Sequence, residues 1–296
     1  MMTKNRNMIR NKKTASLRTQ KTVSVIFNYL ILIILAVFFL FPVVFMFVSS
    51  IKNNETQIIR DMSNIKAFVP YGEIGLKNYF DVFQQMPFGR FMFNSFFIVS
   101  STVLAGLVLN SMIAYALARI RFKGRAFIIS LIIALIIIPA EAVVIPLLLM
   151  VNQIGWLDSY QVQIIPFIVD AFSIFLFYQF FIGLPISLDE AAKIDGASPF
   201  QIYRRIIIPL SKPVFATVAI LQFLFRWGDF LWPLMVTRGY EYRPLTVAIQ
   251  QFFSQDPKVW GDIFAFASMV TIPSLVIFLI FQKWFVRSVA SSGIKG

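Results

Sequence analysis

Long apolar runs separated by short polar intervals set the pattern of this chain. The runs lie at about 23–48, 94–118, 126–150, 161–183, 213–236 and 264–286, each near the ~20 residues that cross ~30 Å of hydrocarbon. Lipid offers no partner to a free backbone group, so each run must close its own hydrogen bonds as a helix. The pattern predicts an all-α integral membrane protein with six transmembrane helices. Ser111, Ala114 and Ala118 on the second helix are spaced for close helix contact. Pro139 and Pro146 free carbonyls within the third. The first long interval, Ser49 to Phe93, mixes Asn, Pro, Gly and aromatics and has room for short helices.

One polar island interrupts the second half of the chain: Leu188 to Pro213, L-D-E-A-A-K-I-D-G-A-S-P-F-Q-I-Y-R-R-I-I-I-P-L-S-K-P. Its spacing predicts two short helices. Ser187 and Glu190 stand as a capping box, in which each side chain satisfies the other's backbone N–H, and Gly196 supplies a left-handed stop. Ser198 caps a second start with Pro199 in the first position and Gln201 repeating the box. Arg204 and Arg205 fall toward the negative helix end, and Pro209 is expected to block continuation.

Composition narrows the class. Of 296 residues 58% are hydrophobic, with 34 Phe and a mean hydropathy of +0.76, which describes a chain solvated by lipid. Without Cys or His, the chain lacks thiol nucleophiles, disulfides and imidazole acid–base chemistry. The net charge of +13 follows topology rather than a nucleic-acid face. Residues 1–22 hold seven basic side chains and no acid, and the run that follows is too long for a signal-peptide core. With that tail inside, 18 of the 27 Lys and Arg fall on the cytoplasmic side, 8 outside, and Arg226 within a span. The bias places both termini and the island in the cytoplasm.

Ionisable residues inside the spans must face protein or water. Glu141 sits between the prolines of the third run, and Asp170 near the middle of the fourth. Arg226 and Asp229, three apart, share one face of the fifth. Pathway lining and plain structural pairing both fit these four. Trp227, Phe230 and Trp232 suit either stacking on sugar rings or an interfacial aromatic belt.

Within the island, Glu190, Ala191, Ala192, Gly196, Ile206, Ile208 and Pro209 reproduce the E-A-A, Gly, nine residues, I-x-L-P spacing of ABC importer membrane subunits, with Ile208 where Leu is usual. From about residue 23 onward the chain resembles the MalG-like permeases of carbohydrate-uptake ABC importers. The landmarks are A-Y-A-L-A-R at 114–119, I-P-A-E-A-V-V-I-P-L at 138–147, D-E-A-A-K-I-D-G-A-S at 189–198, P-L-S-K-P at 209–213, W-G-D-F-L-W-P-L at 227–234, P-L-T-V at 244–247 and G-I-K-G at 293–296.

The resemblance implies the ABC type I importer permease fold. It divides the chain into a basic tail (1–22), a first helix with its external segment (23–89), a permease core (90–286) with a coupling loop at 187–212, and a short C-terminal tail (287–296). It further implies a MalF-like second permease, two copies of a cytoplasmic ABC ATPase that hold ATP and Mg, and an extracytoplasmic sugar-binding protein, working by alternating access in a bacterial cell membrane. Glu190, Ala191, Ala192, Asp195, Gly196, Phe200, Tyr203 and Arg204 would then meet the ATPase, with Glu141, Asp170, Arg226, Trp227, Asp229, Phe230 and Trp232 toward the substrate path. The chain itself has no G-x-x-x-x-G-K-[ST] phosphate loop and is expected to bind no cofactor and catalyse no reaction. An ion-coupled secondary transporter is the competing class, resting on the same four ionisable residues. An oligosaccharide is the expected substrate, with a monosaccharide or a glycerol phosphate as competitors.

Overall fold

The computed structural model describes residues 2–293, with side chains from Ser24 to Gln282. The side chains of the basic tail and of residues 287–296, and the closing G-I-K-G, lie outside that range. Among the described residues there is no strand, only helices joined by short turns. In order they are α1 (Met2–Ser50), α2 (Glu55–Asp61), a 3-10 turn (Ile65–Phe68), α3 (Lys77–Gln85), α4 (Phe88–Arg119), α5 (Arg125–Ile137), α6 (Ala140–Gln153), α7 (Tyr160–Ile164) and α8 (Ala171–Ile182). There follow α9 (Ser187–Ile194), α10 (Pro199–Ile202), a wide π turn (Tyr203–Ile207), α11 (Ile208–Leu210), α12 (Lys212–Trp227), α13 (Leu231–Val236), α14 (Leu245–Ala248), α15 (Gln250–Phe253) and α16 (Trp260–Gly293). The chain divides into two compact units.

One unit comprises residues 1–78 and 260–265. Its polar centre is a buried ion pair between Lys52 Nζ and Asp61, 2.9 Å apart. The Tyr71 hydroxyl donates to the same carboxylate at 2.6 Å, and Lys52 Nζ also donates to the Lys66 carbonyl at 2.8 Å. Burial pushes the Asp61 carboxyl up, but the Tyr71 and Lys52 hydrogen bonds outweigh it and hold the group below the ordinary carboxylate range. Asn78 donates to the Ser50 and Lys52 carbonyls, so the chain leaving α1 is fixed from both sides. Glu55 accepts from the backbone N–H of Trp260 and Gly261, placing a carboxylate on the positive end of α16. The interval after the first run thus carries short helices, as expected.

The other unit comprises residues 79–259 and 266–296. Among the described residues of the two units, four helices are long and apolar enough to cross a membrane: Ser24–Ser50 of α1, Phe88–Arg119, Tyr160–Ile182 and Trp260–Gln282. Two bent pairs raise the number to six if each counts as one span, so the six continuous helices the pattern predicts are not all found as such. In the third run, α5 and α6 meet at 101° across Ile138 and Pro139, both in extended backbone; the proline forces the residue before it out of the helix and brings no N–H to the last carbonyls of α5. In the other bent pair Pro199–Leu210 and Lys212–Trp227 meet at 79°, and the fifth apolar run itself divides into α12 and α13, parted at 228–230.

The fourth span also departs from a simple helix. Asp170 lies near the middle of the span, as expected, but at a break rather than in a helical turn: it caps α8, accepting from the Ser173 N–H at 2.7 Å, after α7 and a 3-10 turn have ended. Asn110 of α4 repairs this break, donating to the Ile168 carbonyl and accepting from the Asp170 N–H, both at 3.0 Å. Gly106 permits the approach, since a Cβ there would come within 2.8 Å of the Gln222 amide and 3.1 Å of the Ile168 carbonyl.

A core of Ala114, Tyr115, Leu117, Ile174, Phe177, Phe181, Ala192, Ile202, Tyr203, Ile207, Val214 and Val218 joins α4, α8, α9, the π turn and α12. The small residues Ser111 and Ala114 are fully buried in the α4 packing, as their spacing predicts.

Candidate functional site

The polar island folds as two short helices around Gly196, whose φ of +76° is the left-handed stop its sequence called for. The second capping box forms: Gln201 accepts from the Ser198 N–H at 2.7 Å and Ser198 from the Gln201 N–H at 3.3 Å. The first does not. The chain enters α9 through Pro185 and Ile186, which accept the opening hydrogen bonds, so Ser187 is already the first helical residue and Ile186 stands at the cap. Pro209 does not end the second helix either. The π turn at Tyr203–Ile207 shifts the register just ahead of it, and helical backbone runs to Leu210 before a 79° bend into α12.

These two helices have an inner and an outer face. On the inner face, three residues of α4 spaced four apart, Ser111, Tyr115 and Arg119, grip the island. Tyr203 lies 2.7 Å from the Ser111 hydroxyl, Tyr115 donates to the Pro199 carbonyl at 3.0 Å, and Arg119 donates to the Leu184 carbonyl at 2.9 Å. Arg119 also stands 3.6 Å from the Asp189 carboxylate, both side chains more than nine-tenths buried. Burial holds the Tyr203 phenol above its ordinary pKa, so it stays a donor. With the Ser111 hydroxyl turned to the Leu107 carbonyl, Tyr203 supplies the proton between them.

The resemblance placed Tyr203 and Ala192 among the residues that meet the ATPase, and the apolar Ile202 lies between Phe200 and Tyr203 in the same island. The structure turns all three into the core. The outer face instead carries Glu190, Ala191, Asp195, Gly196, Phe200 and Arg204, all exposed. Ile194, 87% exposed and four residues after Glu190, joins them beside Phe200 at 57%. Ile194 was legible only as an apolar residue in a polar loop.

The other candidates divide. Arg226, Trp227, Asp229 and Trp232 come together around one cleft of about 370 Å³, counted to its open mouth, with Gln163 and Thr246 also on its wall. Arg226 pairs with Asp229 at 3.3 Å and lies over the Phe167 ring at 4.0 Å, and the Asp170 carboxylate acts on the same guanidinium. Thr246 donates to the Asp229 carbonyl at 2.7 Å, tying P-L-T-V to W-G-D-F-L-W-P-L. Both indoles are spent on structure: Trp227 Nε1 donates to the Val270 carbonyl and Trp232 Nε1 to the Val162 carbonyl. With 6% and 3% of their surfaces exposed, neither presents an open ring face for stacking. Phe230 is exposed beside the break, and Glu141 is exposed in the first turn of α6, away from the cleft.

An all-α chain with several apolar spans, some of them broken, and a helical loop latched to the unbroken α4 has the architecture of a multi-pass transport permease. The chain belongs to the family described as binding-protein-dependent transport system inner membrane component, whose family model matches residues 103–291. It is 33% identical over 273 residues to the arabinooligosaccharides transport system permease protein AraQ of Bacillus subtilis, covering 90% of this chain and 94% of that one. It is 29% identical over 286 residues to the sn-glycerol-3-phosphate transport system permease protein UgpE of Brucella melitensis, covering 92% and 98%. Its structure is similar to a chain of a bacterial ABC transporter involved in the import of the acidic polysaccharide alginate, with a TM-score of 0.78, 27% identity and coverage of 88% and 95%. The fold is therefore that of an ABC importer permease, and the chain is a permease subunit of a binding-protein-dependent transport system.

Proposed function

We propose that this chain is one of two permeases in an ATP-driven importer that carries a sugar, an oligosaccharide by preference, across a bacterial cytoplasmic membrane. Its own role is not catalytic. A separate ATPase present in two copies holds ATP and Mg, a MalF-like permease completes the pore, and an extracytoplasmic binding protein delivers the solute. Both termini and the 187–212 loop face the cytoplasm. The reading is carried by one observation: the loop's inner face is locked to α4 while its outer face offers Ile194 and Phe200, 87% and 57% exposed, flanked by Glu190 and Arg204. Apolar anchors rimmed by charge suit a protein partner. Motion of such a partner would pass through Tyr203, Tyr115 and Arg119 into α4 as a rigid displacement.

The test is reconstitution of this chain with the partner permease, ATPase and binding protein in proteoliposomes. Uptake that requires ATP, and ATP hydrolysis stimulated by a liganded binding protein and lost in Phe200→Asp, is the expected result. Uptake without any ATPase, collapsed by a proton uncoupler, would instead identify an ion-coupled transporter.

A further inference from the structure

The turn between α4 and α5 carries charge that the rest of the described chain does not neutralise. Arg119 is committed, donating to the Leu184 carbonyl and facing the Asp189 carboxylate. The next three basic residues are not. Arg121 and Lys123 are exposed, and Arg125 gives one N–H to the Ala118 carbonyl at a long 3.4 Å. None of the three has an ion pair among the described residues. Positions 82–140 and 171–188 hold no Asp or Glu, so α4, α5 and α8 bring no acid to this turn.

Beneath the turn lies a furrow. Leu117 of α4, Ile129 and Ile133 of α5, and Ile174 and Phe175 of α8 wall a groove of about 190 Å³, counted to its open mouth, with no polar surface. Arg125 joins the charge to the furrow from two directions. Its guanidinium reaches the carbonyl of Ala118, next in the chain to Leu117, and its backbone stands one helical turn before Ile129. From Arg125 to Ile133 the furrow runs about 12 Å inward at ~1.5 Å per residue. α5 has no buried residue, and its Phe127 and Ile137 are 73% and 79% exposed, so the helix beside the furrow is made for hydrocarbon.

A ligand that fits both features carries negative charge at the end of the span and an aliphatic chain leading inward from it. We propose that turn and furrow seat one anionic phospholipid, its phosphate among Arg121, Lys123 and Arg125 and one acyl chain along Ile129 and Ile133. The chain exchanges one hydrocarbon setting for another, so the furrow adds shape rather than hydrophobic gain and selection rests on headgroup charge. The site needs only that α4 and α5 enter a membrane, and so goes beyond the importer reading without resting on it.

The test uses the complete transporter in phosphatidylcholine nanodiscs containing phosphatidylglycerol with a photoreactive group in its acyl chain, the label being located by peptide mass. Label is expected in peptides covering 125–137 and 171–182, displaced by unlabelled phosphatidylglycerol at least tenfold better than by added phosphatidylcholine. Arg121→Gln with Lys123→Gln alters only exposed side chains and should lower the labelling at least fivefold. Ile133→Trp fills the furrow with every charge in place and should lower it as far. Because the added bulk can disturb packing, melting in phosphatidylcholine alone is compared with the parent, and Ile133→Ala, which leaves the furrow open, should keep the label. Equal displacement by the two lipids, or no label in either peptide, would overturn the seat. So would loss in the charge variant without loss in Ile133→Trp, the mark of diffuse surface attraction. Label confined to the partner permease would overturn it too, by showing that a second protein covers the furrow.

Discussion

Tyr203 and Ser111, ninety-two residues apart in sequence, meet hydroxyl to hydroxyl at 2.7 Å inside the core that joins the loop to α4. Each has a different fallback. Ser111 keeps its bond to the Leu107 carbonyl when Tyr203 is changed, whereas Tyr203 has only Ser111.

That asymmetry orders a mutant series. Tyr203→Phe keeps the packed ring and should cost about 0.5–1.5 kcal/mol, the worth of one hydrogen bond. Ser111→Ala strands a buried phenol and should cost more, about 1–3 kcal/mol. The double variant should cost less than the sum, as contacting residues do. Thermal unfolding of the purified complex measures all three, and additive losses would mean the hydroxyls do not interact.

Gly196 has nothing within 4 Å of where a Cβ would stand, so only its backbone resists substitution. Gly196→Ala should destabilise the turn by about 1–2 kcal/mol, the strain of left-handed backbone in an L-residue. Gly196→Asn should cost less. Gly196→Pro loses the N–H bond to Lys193 and cannot adopt a φ of +76°; it should separate ATP hydrolysis from uptake while the chain still reaches the membrane. Hydrolysis-to-uptake ratios across the three variants give the ranking.

Ile194→Asp alters a side chain 87% exposed, so stability should stay within ~0.5 kcal/mol of the parent, while Phe200→Asp also gives up the ring contact with Tyr203 and should cost somewhat more. ATPase association should weaken at least about tenfold, as expected of anchors at a docking face. Co-purification of the ATPase with each variant provides the readout. Unchanged recovery would place the docking face elsewhere.

The Lys52–Asp61 pair makes the first unit sensitive to acid. Because the folded Asp61 pKa lies below its unfolded value, the stability it contributes is complete above the ordinary carboxylate pKa of ~3.9 and is lost as pH falls through the lower, folded value. Asp61→Asn should flatten the melting temperature between pH 5 and pH 3 relative to the parent protein. Lys52→Met, which leaves the carboxylate buried without its cation, should destabilise the protein by roughly 1–3 kcal/mol at neutral pH.

What could be read in the chain follows the range of the forces involved. The left-handed Gly196 and the Ser198 box depend on neighbours a few residues away, and each appears as expected, as do four of the six apolar spans. The inward turn of Tyr203 and the outward turn of Ile194 depend on α4, which the island meets only after folding. The Ser187 box failed for a local reason, the turn at Pro185 that starts the helix early. Pro139 announced the break, but the sequence did not give its angle of 101°. Of the ionisable residues inside the spans, Asp170, Arg226 and Asp229 form one cluster because the fourth span breaks where the fifth ends; Glu141 stands apart from them.

Asn110 gives that break a consequence for biogenesis. Residues around 165–170 reach the bilayer with unpaired backbone groups that hydrocarbon cannot satisfy. The ribosome has by then already released α4, carrying the amide that binds Ile168 and Asp170. Synthesis order therefore delivers the mending group before the rupture, and the fourth span can leave the translocon against α4 rather than as a solitary helix.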